Sequence, residues 1–351
     1  MRVHHLNCMT TRPAAGKSPR ASNPGAQHHS GLLERGHFIA HCLLVETDEG
    51  LVLVDTGLGL GDVADPELRL SRFFLRLLKP ELRAEMTAAR QVERLGFRAS
   101  DVRDIVLTQL GFDHAGGLDD FPRARVHLLA RERDNAVLQK TWMDRQRFRP
   151  QQWSTRSRWI TYAEKEGEHW MGLQCVRQLS GLPEDILLIP LAGHTLGHAG
   201  VAVRTDAGWY LHAGDAFFDP RELDAHPRCR MGLRLYQRML DADRSARLHN
   251  QARLRAVHHS CPEIEIFCSH DPEAFERLSG RTSRVPAEPR PVDAGDPYRK
   301  IVRRREMAMP AKIAHEAVPG IEVHDHEVEN IDFDFDSLAP AARDETARPN
   351  P

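Results

Sequence analysis

The stretch TQLGFDHAGG, residues 108–117, follows the apolar run Ile105-Val106-Leu107 and ends in a pair of glycines. The apolar run predicts a buried strand, and Asp113 and His114 lie side by side in the loop after it. Loops held at strand ends by a rigid sheet are frequent places for functional side chains. A carboxylate next to an imidazole suits Zn²⁺ or Fe²⁺, so this stretch predicts part of a metal site.

Three other predicted strands end in loops of the same kind. The strand at 186–190 leads to His194, the strand at 209–211 leads to Asp215, and the strand at 264–268 leads to His270. A single histidine or aspartate at a strand end is usually a structural hydrogen-bonding group or a turn former. Four such loops in one chain instead predict that these side chains converge on a shared ion.

The motifs occur in a recognisable order: LVLVDTG at 51–57, DIVLTQLGFDHAGGL at 104–118, GHTLGH at 193–198, HAGD at 212–215 and SHD at 269–271. Over about residues 38–275 the sequence resembles the metallo-β-lactamase-fold hydrolase superfamily, in its lactonase-like and glyoxalase II-like branch. The resemblance implies an α/β fold, a four-layer αβ/βα sandwich with metal ions at one edge between two sheets. It also implies hydrolysis of lactones, thioesters, other esters or phosphoesters.

The resemblance further implies a pair of metal ions and gives each motif residue a role. Asp215 would bridge the two ions, and Asp55 would support the loops that carry the ligands. Positions 109, 111 and 194 would hold the first ion, and the second would be held by Asp113, His114 and His270.

The first half of this implied site departs from the superfamily pattern, which is His-x-His-x-Asp-His. Gln109 and Gly111 stand at its two leading histidine positions. Glycine offers no side chain, and a neutral amide is a poor ligand for Zn²⁺. A β-carbon at position 111 is also expected to clash with a turn that only glycine permits. The first site therefore keeps only His194 and the bridging Asp215, whereas the second is complete.

The predicted centre is therefore mononuclear. Three protein ligands plus water are the pattern of a catalytic zinc ion, whose water ionises at a pH of about 7. Zn²⁺ is the expected ion, and Fe²⁺ and Mn²⁺ are alternatives. The predicted metal residues are Asp113, His114, His194, Asp215 and His270, and the predicted catalytic residues are Asp113 and His194. Without a first ion beside it, His194 would shuttle a proton or hydrogen-bond the oxyanion.

Three functions fit this pattern. The first is a metallohydrolase that uses the ion's water as the nucleophile on a small ester, lactone or thioester. The second is a degenerate member of the fold that has lost catalysis and keeps a binding or structural role. The third is a mononuclear iron dioxygenase-like enzyme, because two histidines and a carboxylate also describe a non-haem Fe²⁺ centre. The metal content of protein purified without chelator separates the first two.

The composition argues against several other classes of protein. A net charge of -2 over 351 residues gives no field that would attract nucleic acid or an acidic membrane. No apolar run approaches the roughly 18 to 20 residues that span a bilayer, and the N-terminus lacks the apolar segment of a secretory signal. Six scattered cysteines without a CxxC pair favour a reducing compartment. We expect a cytoplasmic protein with a small-molecule substrate and no nucleic-acid or membrane partner, and a homodimer stays open.

The sequence also predicts how the chain is organised. Residues 1–280 are expected to form the metallo-β-lactamase-like domain, with an irregular, tryptophan-bearing insertion or lid at 131–172. A hairpin is expected at 38–55, with strands at 41–47 and 51–55, and a long helix at 233–258. Two shorter helices are predicted between them, at 66–79 and 83–95. From 281 to 351 proline, arginine and acidic residues dominate, which predicts a disordered tail.

Overall fold

Two six-stranded sheets organise the chain. The computed structural model describes residues 1–11, 37–154 and 158–283. Within these residues the strands are β1 (Arg2–Thr10), β2 (Ile39–Thr47), β3 (Gly50–Val54), β4 (Val102–Val106), β5 (Arg125–Leu129), β6 (Trp159–Tyr162), β7 (Glu168–Trp170), β8 (Leu173–Gln178), β9 (Ile186–Pro190), β10 (Ala199–Thr205), β11 (Gly208–His212) and β12 (Ile264–Phe267). The α-helices are α1 (Leu60–Ala64), α2 (Pro66–Arg69), α3 (Arg72–Leu78), α4 (Ala88–Arg94), α5 (Phe112–Ala115), α6 (Ala130–Leu138), α7 (Trp142–Arg147), α8 (Met231–Leu240), α9 (Arg244–Ser260) and α10 (Pro272–Ser279).

Each sheet is built from one half of the described chain. The first sheet has the order β1-β2-β3-β4-β5-β6, and the second has the order β12-β11-β10-β9-β8-β7. From β3 to β6 the neighbouring strands run parallel, whereas β1, β2 and β3 pair antiparallel. In the second sheet only β11 and β12 are parallel. Parallel strands end at the same edge of a sheet, so the side chains that follow them lie close together and can form a site.

Apolar residues alternate between two sides of each sheet, as the two-residue period of a strand requires. On β3, Val52 and Val54 lie in the apolar layer between the sheets, and Leu51 and Leu53 face the layer beneath α3 and α4. On β9, Ile186 and Leu188 face the apolar layer between the sheets, and Leu187 and Ile189 face the layer beneath α9. The result is helix, sheet, sheet, helix, so the predicted four-layer αβ/βα sandwich is confirmed.

The predicted hairpin is present as β2 and β3, but the predicted long helix over 233–258 is wrong. It is divided into α8 and α9, because the side chain of Asp243 accepts a hydrogen bond from Ala246 N at 3.0 Å and caps α9. The two shorter predicted helices are also broken, by the capping residues Ser71 and Thr87. Apolar spacing continues across such caps, so periodicity alone joins helices that the caps separate.

The segment 131–172 is regular within its described residues, in contrast to the expected irregular insertion. It contributes most of α6, all of α7, and the edge strands β6 and β7 of the two sheets. Trp153 and Trp159 pack into the layer between the first sheet and its helices, whereas Trp142 is 43% exposed. The sequence of this segment is rich in arginine and other polar residues, which obscures the apolar periodicity of a helix or strand. Whether such residues are buried depends on partners distant in sequence.

The N-terminal strand β1 was not among the predicted elements. Its sequence RVHHLNCMT carries histidines and polar residues, yet it pairs antiparallel with β2 at the edge of the first sheet. The described residues all belong to one compact unit spanning Met1–Arg304. The domain boundary at 280 stays a prediction, and residues 284–351 of the predicted tail lie outside the described residues. Among the described helices, none is long and apolar enough to cross a bilayer.

Candidate metal centre

The predicted site residues follow the carboxyl ends of strands from both sheets. Asp55 follows β3, and Asp113 and His114 lie in α5 just after β4. Asp215 and His270 follow β11 and β12. Since β3 and β4 are parallel, and β11 and β12 are also parallel, each pair of strands ends at one edge of its sheet. The fold therefore presents four loops from two sheets to a common space.

Three of the predicted ligands converge in that space. One ligand atom each from Asp113, His114 and His270 lies within 4.8 Å of the other two. His270 Nε2 is 3.7 Å from Asp113 Oδ2, and His114 Nε2 is 3.8 Å from Asp113 Oδ1. Ligands about 2.1 Å from a tetrahedral ion lie roughly 3.4 Å apart, so small adjustments would let all three reach one ion.

The two carboxylate oxygens of the buried Asp215 have different surroundings. Oδ2 lies 2.7 Å from Gln109 Nε2, which donates to it, 3.2 Å from His194 Nε2 and 3.3 Å from His114 Nε2. Oδ1 lies 3.2 Å from His270 Nε2, yet it has no hydrogen-bond partner among the described residues. A buried anionic oxygen without a hydrogen bond is costly, and a cation beside it removes that cost. This donor set therefore fits a divalent ion.

Asp55 and Thr108 fix the orientation of His114. His114 Nδ1 lies 2.8 Å from Asp55 Oδ2, so in the neutral ring its hydrogen is directed to that carboxylate and Nε2 keeps a lone pair for an ion. Asp55 is held in turn by the backbone N–H and the hydroxyl of Thr108, at 2.8 and 2.6 Å. Asp55 itself has a left-handed φ of 56°, an uncommon conformation that tends to occur at functional sites.

The charges of the cluster favour a bound cation. Burial lowers the pKa of His114, but the carboxylates of Asp215, Asp55 and Asp113 raise it more, so it lies well above its usual value. Burial also lowers the pKa of His270, and Asp215 again overcomes that effect and raises it. For Asp215, burial raises the pKa but the neighbouring imidazoles bring it well below its usual value. Excess negative charge thus attracts either protons or a metal ion.

His194, in the loop after β9, has a different environment. Burial and the guanidinium of Arg147 keep its pKa well below its usual value, so the ring is neutral. Its Nε2 faces Asp215 Oδ2, and its Nδ1 has no hydrogen-bond partner among the described residues. The structure places His194 beside Asp215 but outside the group formed by Asp113, His114 and His270.

Two buried charged residues of the site were not predicted from the sequence. Glu132 on α6 accepts hydrogen bonds from Thr195 Oγ1 at 2.6 Å and Leu110 N at 2.9 Å, so it joins the loops after β4 and β9. Arg147 on α7 donates to the backbone carbonyl of His194 at 2.9 Å. Both are almost fully buried, but no local pattern distinguishes them from the solvated charges on the same short helices.

A small cleft opens onto the converging side chains. One part of its lining is polar and the other is apolar. The polar part is Gln109, Asp113, Arg147, His194, Asp215 and His270, and the apolar part is Phe74, Phe112, Tyr236 and Leu240. Such a lining suits a small molecule with one reactive polar group and an apolar substituent.

Comparison with known sequences identifies the family. Residues 35–255 match the Metallo-beta-lactamase superfamily. The chain belongs to this superfamily. Probable metallo-hydrolases of Mycobacterium tuberculosis and Mycobacterium bovis are each 38% identical to it over 277 residues, which is 79% of this chain and 82% of theirs. An N-acyl homoserine lactonase of Bacillus thuringiensis is 30% identical over 102 residues, covering 29% of this chain and 41% of its own.

Solved structures of the superfamily show the same fold. An N-acyl homoserine lactone hydrolase with N-hexanoyl-L-homoserine at its catalytic metal centre superposes with a TM-score of 0.55 at 20% identity, over 80% of this chain and 96% of its own. A probable metal-dependent hydrolase from Staphylococcus aureus gives a TM-score of 0.53 at 16% identity, over 77% and 89% of the two chains. These structures confirm the predicted fold, and the match over residues 35–255 confirms the predicted superfamily.

Proposed function

We propose that this chain is a single-ion hydrolase of lactones or related small esters that carry an apolar substituent. The observation that carries the proposal is the convergence of Asp113, His114 and His270 beside Asp215 Oδ1. This oxygen lies 3.2 Å from His270 Nε2 and has no hydrogen-bond partner among the described residues. These four residues would hold the ion, which we expect to be Zn²⁺, with Fe²⁺ or Mn²⁺ as alternatives. When bound, the ion supplies Lewis acidity and a water that ionises at a pH of about 7.

His194 and Asp215 provide the proton transfer in this proposal. The neutral ring of His194 would accept a proton from the attacking water and return it to the leaving alkoxide. While the ring is protonated, its Nε2–H faces Asp215 Oδ2 at 3.2 Å, and the carboxylate stabilises the charge. The bond between the acyl carbon and the ring oxygen breaks, a bond to the water oxygen forms, and the product is a hydroxy acid.

The walls of the cleft support the substrate class. Phe74, Phe112, Tyr236 and Leu240 offer an apolar surface next to the polar side chains, where an acyl or alkyl chain of a substrate would be shielded from water. The Bacillus thuringiensis relative, matched over 102 residues, is named an N-acyl homoserine lactonase. An acylated lactone is therefore the first substrate to try, followed by thioesters of similar size.

The test combines metal analysis with turnover. Protein purified without chelator is analysed by mass spectrometry for metal content, and hydroxy-acid formation from N-hexanoyl homoserine lactone is followed by chromatography. We expect about one equivalent of divalent metal and turnover that disappears with His194→Ala, while the metal stays bound. Metal and turnover should both be lost in Asp113→Ala.

His259→Ala is the matched control, because His259 is an exposed histidine at the end of α9 and should change neither quantity. Wild-type protein that binds no divalent metal, or binds one ion and hydrolyses none of the lactones and thioesters, would contradict the proposal. Either result would favour the degenerate, non-catalytic member of the fold.

A further inference from the structure

The side chain of Gln109 occupies the space on one side of Asp215. Gln109 is 1% exposed, and its Nε2 donates to Asp215 Oδ2 at 2.7 Å. The same nitrogen lies 3.1 Å from His114 Nε2, which can accept its second hydrogen only while that lone pair holds no ion. A glutamine amide thus contacts two of the proposed ligand residues at once, with the positive end of its dipole toward both.

Gly111 provides the room for this amide. A β-carbon on Gly111 would lie 2.8 Å from Gln109 Oε1 and 3.2 Å from its Cδ, closer than such atoms pack. The backbone of Gly111 has φ of -58° and ψ of 149°, which any residue can adopt. The expectation that a backbone turn requires glycine here is therefore wrong, because the nearest obstacle is the Gln109 side chain. The two departures from the superfamily motif are in direct contact with each other.

We propose that Gln109 and Gly111 act as one unit that puts a neutral amide where a second cation would otherwise face Asp215 Oδ2. The amide satisfies that oxygen by a charge-assisted hydrogen bond, but it adds no charge. Asp215 then interacts with only one ion, through Oδ1 on the side that faces His270. Gln109 is in this view a positioning residue that limits the centre to one ion, and the inference rests on the proposed function above.

The substitution Gln109→Glu tests the charge argument, because it keeps the shape of the side chain and the fit against Gly111. The new carboxylate would face Asp215 Oδ2 at a hydrogen-bond distance, and a second cation would relieve the repulsion between them. We expect equilibrium dialysis against Zn²⁺ to give about two equivalents per chain for this variant and about one for the wild type. An unchanged stoichiometry of one would overturn the charge argument.

Gln152→Glu is the matched control. Gln152 is also fully buried, and its Nε2 donates to a carboxylate, Asp62 Oδ2, at 3.0 Å. The described surroundings of Asp62 include no group of metal ligands, since the group found among the described residues is that of Asp113, His114 and His270. This variant should therefore keep one equivalent of metal, and an increase to two would show that any buried glutamate produces the effect.

A double-mutant cycle tests the pairing of Gln109 and Gly111 on metal-free protein. Gly111→Ala should lower the Tm by roughly 5 °C when Gln109 is present, because the new methyl group overpacks against the amide. In a Gln109→Ala background the same change should cost less than about 1 °C. Equal losses in both backgrounds would overturn the pairing. This result does not depend on metal binding, so failure of the proposed function and failure of this inference are distinguishable.

Discussion

Among the described residues, two buried clusters of histidine and carboxylate differ in how completely their polar atoms are paired. In the sheet cluster, formed by Asp104, Arg125, His127 and Tyr162, His127 bonds to Tyr162 Oη at 2.8 Å and to Asp104 Oδ1 at 2.9 Å. Arg125 donates to both oxygens of Asp104, at 2.7 and 2.9 Å. Every ring nitrogen and carboxylate oxygen of Asp104 and His127 thus has a partner within the protein.

The candidate metal centre is built from the same residue types but leaves some atoms without a hydrogen bond. Asp215 Oδ1, Gln109 Oε1 and His194 Nδ1 have no hydrogen-bond partner among the described residues. The sheet cluster lies on the first sheet and the candidate metal centre at the ends of strands from both sheets, and both contain buried histidines and carboxylates, so burial and residue type do not separate them. Natural proteins pair most buried polar groups, so several atoms without a hydrogen bond around one space favour a site that binds an ion. We therefore expect the sheet cluster to stabilise the fold and the candidate metal centre to bind an ion, as proposed above.

Of the effects that test this comparison, we expect the largest, on the affinity for Zn²⁺, when a proposed metal ligand is removed. His270→Ala should weaken the affinity for Zn²⁺ by more than about 100-fold, because removal of a ligand should exceed the 10–100-fold effect of losing an outer hydrogen-bond partner. Titration with a competing chromophoric chelator measures the affinity. Retention of wild-type affinity would mean that His270 does not hold the ion.

A smaller loss is expected when the support of a ligand is weakened. Asp55→Asn removes the charge that faces His114 Nδ1, and it should weaken the affinity for Zn²⁺ by about 10–100-fold. Asparagine tolerates the left-handed backbone of Asp55, so the fold should be retained. The same titration measures the effect, and circular dichroism checks the fold. An affinity within twofold of wild type would remove Asp55 from the centre.

In the sheet cluster, the corresponding change should act on stability and leave metal binding alone. Asp104→Asn replaces an anionic acceptor of bonds from Arg125 and His127, and it should lower the free energy of unfolding by about 1–3 kcal/mol. Urea denaturation measures this loss, and the chelator titration should give the wild-type affinity for Zn²⁺. A large change in metal affinity would show that the two clusters are not independent.

The smallest expected effect is a change in how the stability of the fold depends on low pH. Burial raises the pKa of Asp104, but the hydrogen bonds from His127 and Arg125 lower it more, so its folded pKa lies below its usual value. A group of this kind stabilises the fold above its unfolded pKa, and that stability is lost as the pH falls through the folded pKa. Urea denaturation of metal-free protein should therefore show a smaller loss of stability below a pH of about 4 in Asp104→Asn than in wild type. Parallel pH profiles for the two proteins would refute the assignment.

Much of the fold follows from short-range patterns. The apolar runs on either side of the turn at Asp48–Gly50 predict the hairpin of β2 and β3. The helices are less predictable, since apolar spacing continues through the caps at Ser71, Thr87 and Asp243. The edge strand β1 was not predicted, because its histidines and other polar residues interrupt the alternation of polar and apolar residues. In the folded protein most of these polar residues are nevertheless buried.

The sequence by itself determined the order of the ligand-bearing loops, the absence of imidazoles at 109 and 111, and the family to which those motifs point. These features are local, since each depends on a few residues after a strand. Only the tertiary structure decided that Gln109 occupies one side of Asp215, that Gly111 makes room for it, and that Glu132 and Arg147 are buried beside the site. Those properties depend on distances between segments up to about a hundred residues apart, and no local pattern encodes such distances.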